Sequence, residues 1–181
     1  RTFTLPVAPG SGFRELARIE DATLFSVWMA ALQVWLYRMT GQNDLIVSIP
    51  VTRRERPEVQ DLLGFFLNTV PVRTHVDRKG TFRQLLSQVR HTLTQVLSQS
   101  DLPFAEIVHD AEGARPAGES TLARILFVFA EDPLPVLQLG EVVGERVPLS
   151  TGTSKNDLTV SVRPVGTTWE CRFEYATDLF E

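Results

Sequence analysis

The sequence predicts a two-layer α/β sandwich: a mixed β-sheet with helices packed on one face. Three observations predict it. The elements read as one strand, two helices, two strands, two helices and then four strands. Leu45-Ile46-Val47 is a continuous apolar run, which reads as a central strand covered on both faces. Around Leu24–Met39 apolar residues cover more than one side of a helix, and such a helix is usually buried between layers.

Arg1 to Leu5 alternates as a short strand, and Pro6 to Gly10 reads as a turn with two prolines and a glycine. Ser11 is placed to cap a short helix with Phe13, Leu16, Ala17 and Ile19 on its apolar face. A second helix is expected from about Thr23 to Thr40, stopped at Gly41, with its Trp and Met residues in the core. After the Asp44–Pro50 strand, Thr52 to Asp61 reads as a charged loop. Within it Arg53, Arg54 and Arg56 are expected to face water. A strand then runs to about Val76. Thr81 with Gln84 three residues on forms a capping box, and Phe82, Leu85, Leu86, Val89, Leu93, Val96 and Leu97 follow at helical spacing. Pro103 fits the first turn of a helix over Phe104–Asp110, and Asp101 is placed to cap it. Ala111 to Ser120 reads as a mobile loop. Strands are expected over Leu122–Phe129, Glu141–Leu149, Asp157–Val165 and Thr168–Tyr175, the last two forming a hairpin at Gly166.

A length of 181 residues allows one domain or one lobe of a larger one, and the whole of 1–181 is expected to form a single lobe. The net charge of −4 gives no electrostatic footprint for nucleic acid. The longest apolar helix is interrupted by Ser26, Gln33 and Arg38, so no membrane span is expected. With no signal peptide in the N-terminal residues, the expected compartment is cytoplasmic. Cys171 is the single cysteine, which excludes an internal disulfide and a cysteine-built metal site. His75, His91 and His109 are scattered, with no metal-ligand spacing, and read as surface residues.

The most informative stretch is Gly64-Phe65-Phe66-Leu67-Asn68-Thr69, followed by Val72-Arg73. Asn68 lies among apolar residues, so its amide is expected to be at least partly buried and to need partners. It reads either as a structural Asn at a strand start or as a site residue. The stretch resembles the GFFVNT…R signature of condensation domains in nonribosomal peptide synthetases. Ser48-Ile49-Pro50-Val51-Thr52-Arg53-Arg54 resembles that family's GTPVAGR, and Asp101-Leu102-Pro103-Phe104 its HQDLPFE. Thr151–Thr159 resembles TGTAKFDLT, and Glu174–Phe180 resembles EYSTDLFD. Five motifs in the family's order cover nearly the whole chain.

The resemblance implies a chloramphenicol-acetyltransferase-like lobe, the C-terminal subdomain of a condensation domain. Its partners would be the N-terminal lobe of the same domain and the donor and acceptor carrier proteins, not nucleic acid or membrane. Phosphopantetheine arms would be delivered by the carriers, with no cofactor and no metal held by this lobe. The family's HHxxxDG motif is absent from this chain, so no catalytic residue is assigned and the fragment alone is expected to be inactive. By resemblance, Asn68 and Thr69 border the substrate tunnel, with Thr52, Thr151, Thr153 and Lys155 behind them; Thr151–Lys155 also reads as a plain polar turn. Departures from the family pattern are Ala105, Glu119, Thr121 and Asn156. They motivate an alternative reading: a divergent, non-catalytic module that recruits carrier proteins or tailoring enzymes.

Overall fold

The computed structural model describes residues 2–7, 11–54, 56–113, 120–131, 138–144, 147, 152–165 and 168–180. In chain order these form β1 (Thr2–Val7), α1 (Ser11–Ile19), α2 (Leu24–Thr40), β2 (Asp44–Thr52), the single turn α3 (Pro57–Gln60), β3 (Leu67–His75), α4 (Phe82–Leu97) and α5 (Phe104–Glu112). A 3-10 turn (Thr121–Ala123), β4 (Ile125–Phe129), β5 (Gln138–Leu139), β6 (Val142–Val143), β7 (Leu158–Val165) and β8 (Thr168–Tyr175) complete it. Six strands form one sheet in the order β1-β8-β7-β4-β2-β3. β4 runs parallel to both β2 and β7, whereas the β2–β3, β7–β8 and β1–β8 pairs are antiparallel. The sheet is therefore mixed, as expected.

Strand alternation divides the sheet into two faces. Leu45, Val47 and Ile49 of β2 share a face with Val70 and Val72 of β3, Phe127 of β4, Val160 and Val162 of β7, and Cys171 of β8; all are buried, and the helices cover them. The opposite face carries Thr69, Pro71, Thr159, Ser161, Arg163 and Arg172, which are half-buried or exposed. Ile46 is only half-buried, so β2 is covered by helices on one face rather than on both. Ser48 on that second face is the exception. Its hydroxyl is buried and donates to the Leu122 carbonyl at 2.5 Å, where the 3-10 turn crosses the strand.

The helix ends follow the local chemistry. The Thr23 hydroxyl accepts from the Ser26 N–H at 3.1 Å, and Gly41 closes α2 at φ +71°, where a Cβ would be strained. Both arms of the Thr81–Gln84 capping box are made, at 3.3 and 2.8 Å. Leu85, Leu86, Val89 and Leu93 are buried against the sheet and α2, while Leu97 at the last turn is exposed. Trp28 and Met29 lie in the core, but Trp35 and Met39 are exposed; Trp35 stands at the lip of an open apolar cleft on the sheet side of α2, lined also by Leu32, Val160 and Phe173. Trp35 still leans on the Phe173 ring, 5.6 Å between centroids. Ile19 is likewise exposed rather than part of the apolar face of α1. Gln33 is fully buried in α2, and its amide donates to the Thr74 hydroxyl of β3 at 2.9 Å, a polar tie through an apolar layer.

Several expectations are corrected. β1 continues through Pro6 to Val7, which an edge strand tolerates because its outer N–H groups have no ladder to complete. Helix α5 takes in Ala111 and Glu112, and residues 114–119 of the expected loop lie outside the described residues. β4 starts only at Ile125, because the Ser120 hydroxyl accepts from the Leu122 N–H at 3.0 Å and turns the chain before it extends. Of the expected Glu141–Leu149 strand, Val142–Val143 is extended, paired with β5 in a separate two-stranded ribbon. Gly166 lies outside the described residues; β7 and β8 pair as a hairpin with Val165 opposite Thr168.

The core sets two testable expectations. Phe127 is fully buried and contacts Phe25 and Phe129, so Phe127→Ala should lower unfolding free energy by about 3–5 kcal/mol, read from urea denaturation. Burial, and secondarily the Glu170 charge, pushes the Cys171 thiol up to about 11. The thiol therefore stays protonated at pH 8, and a thiol-reactive disulfide reagent should leave it unmodified until the protein is unfolded.

Candidate functional site

The site is built around the C-terminal end of β2 and the N-terminal end of β3, where Thr52 pairs with Leu67 and Val51 with Asn68. Asn68 faces the helix layer and is buried. Its side-chain N–H groups donate to the carbonyls of Ser100 and Leu102, each at 2.8 Å, and its oxygen accepts from the Phe104 N–H at 3.1 Å. Donors and acceptor are thus all engaged on the backbone between α4 and α5. The Phe104 bond caps α5 from a different strand. The cap expected of Asp101 is therefore absent: α5 has no side-chain cap from its own preceding residue, Pro103. Asp101 instead projects outward, 3.5 Å from Arg53.

Thr69 is adjacent to Asn68 in a strand, so it points to the opposite face, the one without helices. There it is half-buried, level with Pro50. Thr52 is exposed at the end of β2. The structure therefore gathers Thr52, Asn68 and Thr69 at one end of the β2–β3 pair but directs the last two to different faces.

The loop from residue 53 to 66 is organised by Arg54, not left to solvent. Its guanidinium donates to the carbonyls of Val59, Gln60, Leu62 and Gly64 at 2.7–3.3 Å and stands 4.4 Å from the centre of the Phe66 ring. Gly64 makes room for that ring, since a Cβ there would meet Phe66 Cε2 at 2.9 Å. The loop thus turns its polar backbone inward onto one cation. Leu63 and Phe65 are left outward, fully exposed and 86% exposed. Sequence reasoning missed Arg54; the signal was its place at the end of the GTPVAGR-like stretch. Between this loop and the α4–α5 connection lies a groove of about 520 Å³, lined by Thr52, Arg53, Arg56, Phe65, Leu67 and Asp101 among others.

The second candidate segment is elsewhere. Thr151 lies outside the described residues, while Thr153 and Lys155 are exposed ahead of β7. Asn156 donates to the Ala123 carbonyl at 2.6 Å and anchors this turn beside the start of β4. Leu158 lies beside Ile125, one residue before the Leu126 that faces Ser48. The turn therefore approaches from the Asp44 side of β2, away from Thr52. His75, His91 and His109 are exposed on β3, α4 and α5 respectively. At the Asp44 end, Arg73 grips the Asp44 carboxylate at 2.9 and 2.6 Å and holds it below the usual carboxylate range. Among the described residues no three His, Cys, Asp or Glu side chains gather as a metal site, and no helix is long and apolar enough to cross a membrane.

Comparison with known proteins gives one consistent family. A family model described as "Condensation domain" matches residues 1–181. One of the linear gramicidin synthase proteins of Brevibacillus parabrevis is 36% identical over 184 residues, covering 99% of this chain but only 2% of that protein. Among solved structures, holo-AB3403, a four-domain nonribosomal peptide synthetase bound to AMP and glycine, superposes with a TM-score of 0.87 at 23% identity, covering all of this chain and 15% of that one. An X-domain from teicoplanin biosynthesis, solved in complex with OxyB, gives 0.83 at 21% identity and covers all of this chain and 41% of that one. With its mixed sheet, its Asn68-tethered helix start and a family model spanning its entire length, the chain belongs to the condensation-domain family of nonribosomal peptide synthetases.

Proposed function

We propose that this chain is the C-terminal lobe of a condensation domain and that, joined to an N-terminal lobe, it takes part in forming amide bonds between carrier-bound aminoacyl or peptidyl thioesters. The observation that carries the reading is the condensation-domain match over residues 1–181 in a chain without an HHxxxDG motif. In the reaction, the acceptor amine nitrogen attacks the donor thioester carbonyl. The C–N bond forms, the C–S bond breaks, and the amine proton passes by way of a base on the other lobe to the departing sulfur, so that the donor arm leaves as its thiol. This lobe supplies position. Thr52 and Thr69 offer hydroxyls beside the path, and Asn68 acts through the α4–α5 connection that it fixes. Holding two reactants in register can account for several kcal/mol of a barrier.

The likeness to an X-domain solved in complex with OxyB supports one other reading, a recruitment module for a tailoring enzyme. The sequence immediately upstream separates the two: an intact HHxxxDG there supports amide formation, and a broken one supports recruitment.

Two measurements test the proposal. With two loaded carrier proteins, the complete domain should yield amide product and the 181-residue chain alone none; turnover by the lobe alone would sink the assignment of the base to the other lobe. In the complete domain, Asn68→Ala should cost about 1–3 kcal/mol of stability, because it strips partners from three backbone groups, one buried and two partly buried. Its single-turnover rate, taken well below the melting temperature, should fall tenfold or more, equivalent to about 1.4 kcal/mol on the barrier. An unchanged rate in a destabilised variant would leave Asn68 a purely structural residue.

A further inference from the structure

We infer that Asn156 is a positioning residue for the condensation reaction. With Ser48 and Glu112 it locks the 3-10 turn at Thr121–Ala123, and through that turn it sets the segment of residues 152–157 that displays Thr153 and Lys155. The inference rests on the amide-forming reading above.

The lock is built from side chains that reach in from three other parts of the fold. A single 3-10 turn has poor hydrogen-bond geometry of its own, so its place depends on what holds its backbone. Glu112 of α5 accepts from the Thr121 N–H at 3.1 Å and from the Thr121 hydroxyl. Ser48 of β2, fully buried, donates to the Leu122 carbonyl. Asn156, ahead of β7, donates to the Ala123 carbonyl at 2.6 Å. Three successive residues are thus each held by a side chain from a different part of the chain. The buried Ser120 hydroxyl, accepting from the Leu122 N–H, closes the turn from inside.

Two of these tethers are departures from the family pattern, and they explain each other. Ser48 stands where GTPVAGR has its glycine, and Asn156 where TGTAKFDLT has its phenylalanine. A glycine has no hydroxyl and a phenylalanine no amide, so neither pattern residue could make its bond. Here the two bonds land on consecutive carbonyls, Leu122 and Ala123. Thr121, a third departure, is the neighbouring residue and carries the Glu112 bonds. Departures that meet on one turn form a built device; unrelated losses would leave their positions unpaired.

The lock lies on the helix-free face of the sheet. The Thr159 hydroxyl donates to the Asn156 side-chain oxygen at 3.4 Å; Thr159 is opposite Leu126, and Leu126 is beside Ser48. Thr69 is on the same face. The Ser154 hydroxyl donates to the Asn156 carbonyl at 2.6 Å, and the Leu158 N–H donates to the Arg124 carbonyl at 3.1 Å. The segment is therefore gripped at Ser154, Asn156 and Leu158. Thr153 and Lys155 alternate with the first two grips and stay exposed. Such placement matters to a rate, because a shift of about 1 Å in a positioning group can cost about a hundredfold.

The test uses the complete condensation domain that contains this chain, two loaded carrier proteins, and single-turnover rates taken well below the melting temperature. Asn156→Asp keeps the size of the side chain and removes the donor; Asn156→Ala removes both. Each should slow amide formation about tenfold. In a Thr153→Val/Lys155→Met background, itself slowed, Asn156→Asp should cost less than about twofold more, because the groups it positions are gone. A purely structural Asn156 would give the same fold-loss in both backgrounds, and that result overturns the inference. So does an unchanged rate in Asn156→Asp, or in the Thr153→Val/Lys155→Met variant. Hydrogen exchange reads the lock without activity. Ser48→Ala, although on β2, should speed exchange of the 152–157 amides several-fold, as Asn156→Asp does. Exchange there that ignores Ser48→Ala overturns the lock. Amide formation by the parent that no Asn156 variant alters would sink the inference and leave the condensation reading intact. Faster exchange in the variants of a domain that makes no amide would uphold the lock and sink that reading.

Discussion

A buried amide has to find partners for its N–H groups and its oxygen, and the site end of this fold depends on how Asn68 does so. Its partners are not the strand beside it but the backbone of residues 100–104. Three consequences follow from one side chain. The connection between α4 and α5 is pinned to β3, helix α5 receives its cap from across the chain, and Asp101 is released from capping to face Arg53. Each bond is worth about 0.5–1.5 kcal/mol net, but losing the amide also leaves the buried Ser100 carbonyl unsatisfied, which costs more than that bond itself contributes.

Arg54 performs the complementary task on the other bank. A loop with Leu62, Leu63 and Phe65 exposed would gain by collapsing those side chains into the core. The guanidinium prevents that by gathering four carbonyls, which fixes the loop backbone in a shape that holds the apolar side chains outward. The Phe66 ring stacked on the cation, and the missing Cβ at Gly64, complete the arrangement. The Gly-Phe-Phe triplet is therefore three different residues physically: one gives space, one is displayed and one seats an arginine.

What was legible in the sequence was what local chemistry decides. Thr23, Gly41 and the Thr81–Gln84 box mark helix ends through bonds to residues within four positions, and the structure makes them. The alternation in β3, β7 and β8 assigns faces correctly, because a strand's period is fixed by its backbone. What was not legible depends on partners far along the chain. Asp101 reads as a cap until Asn68, 33 positions earlier, takes the bond. Arg54 reads as a solvated charge until its loop folds back over it. Trp35 and Met39 read as core because hydropathy marks them as apolar without showing that the cleft beside Trp35, between α2 and the sheet, stays open. The start of β4 was misplaced because Ser120 draws the chain into a turn that apolar content does not register.

Strand geometry also bears on the pair that the family resemblance singles out together. Asn68 and Thr69 are consecutive in β3, so they cannot share a face. The amide goes under the helices and is used up there; the hydroxyl goes to the face that the helices leave open. In a domain of two lobes, a polar strand face without helices is the surface that a second lobe can approach, and Thr69 lies on it. Under the proposed function the pair therefore divides its work. Thr69 meets the reacting groups directly, and Asn68 reaches them through the backbone it holds, by keeping the bank of the Arg53 groove in place. The apolar face beneath supports both, because Val70 and Val72, the next residues along β3 on the Asn68 side, are locked into the core. Any shift of Asn68 would have to move that strand.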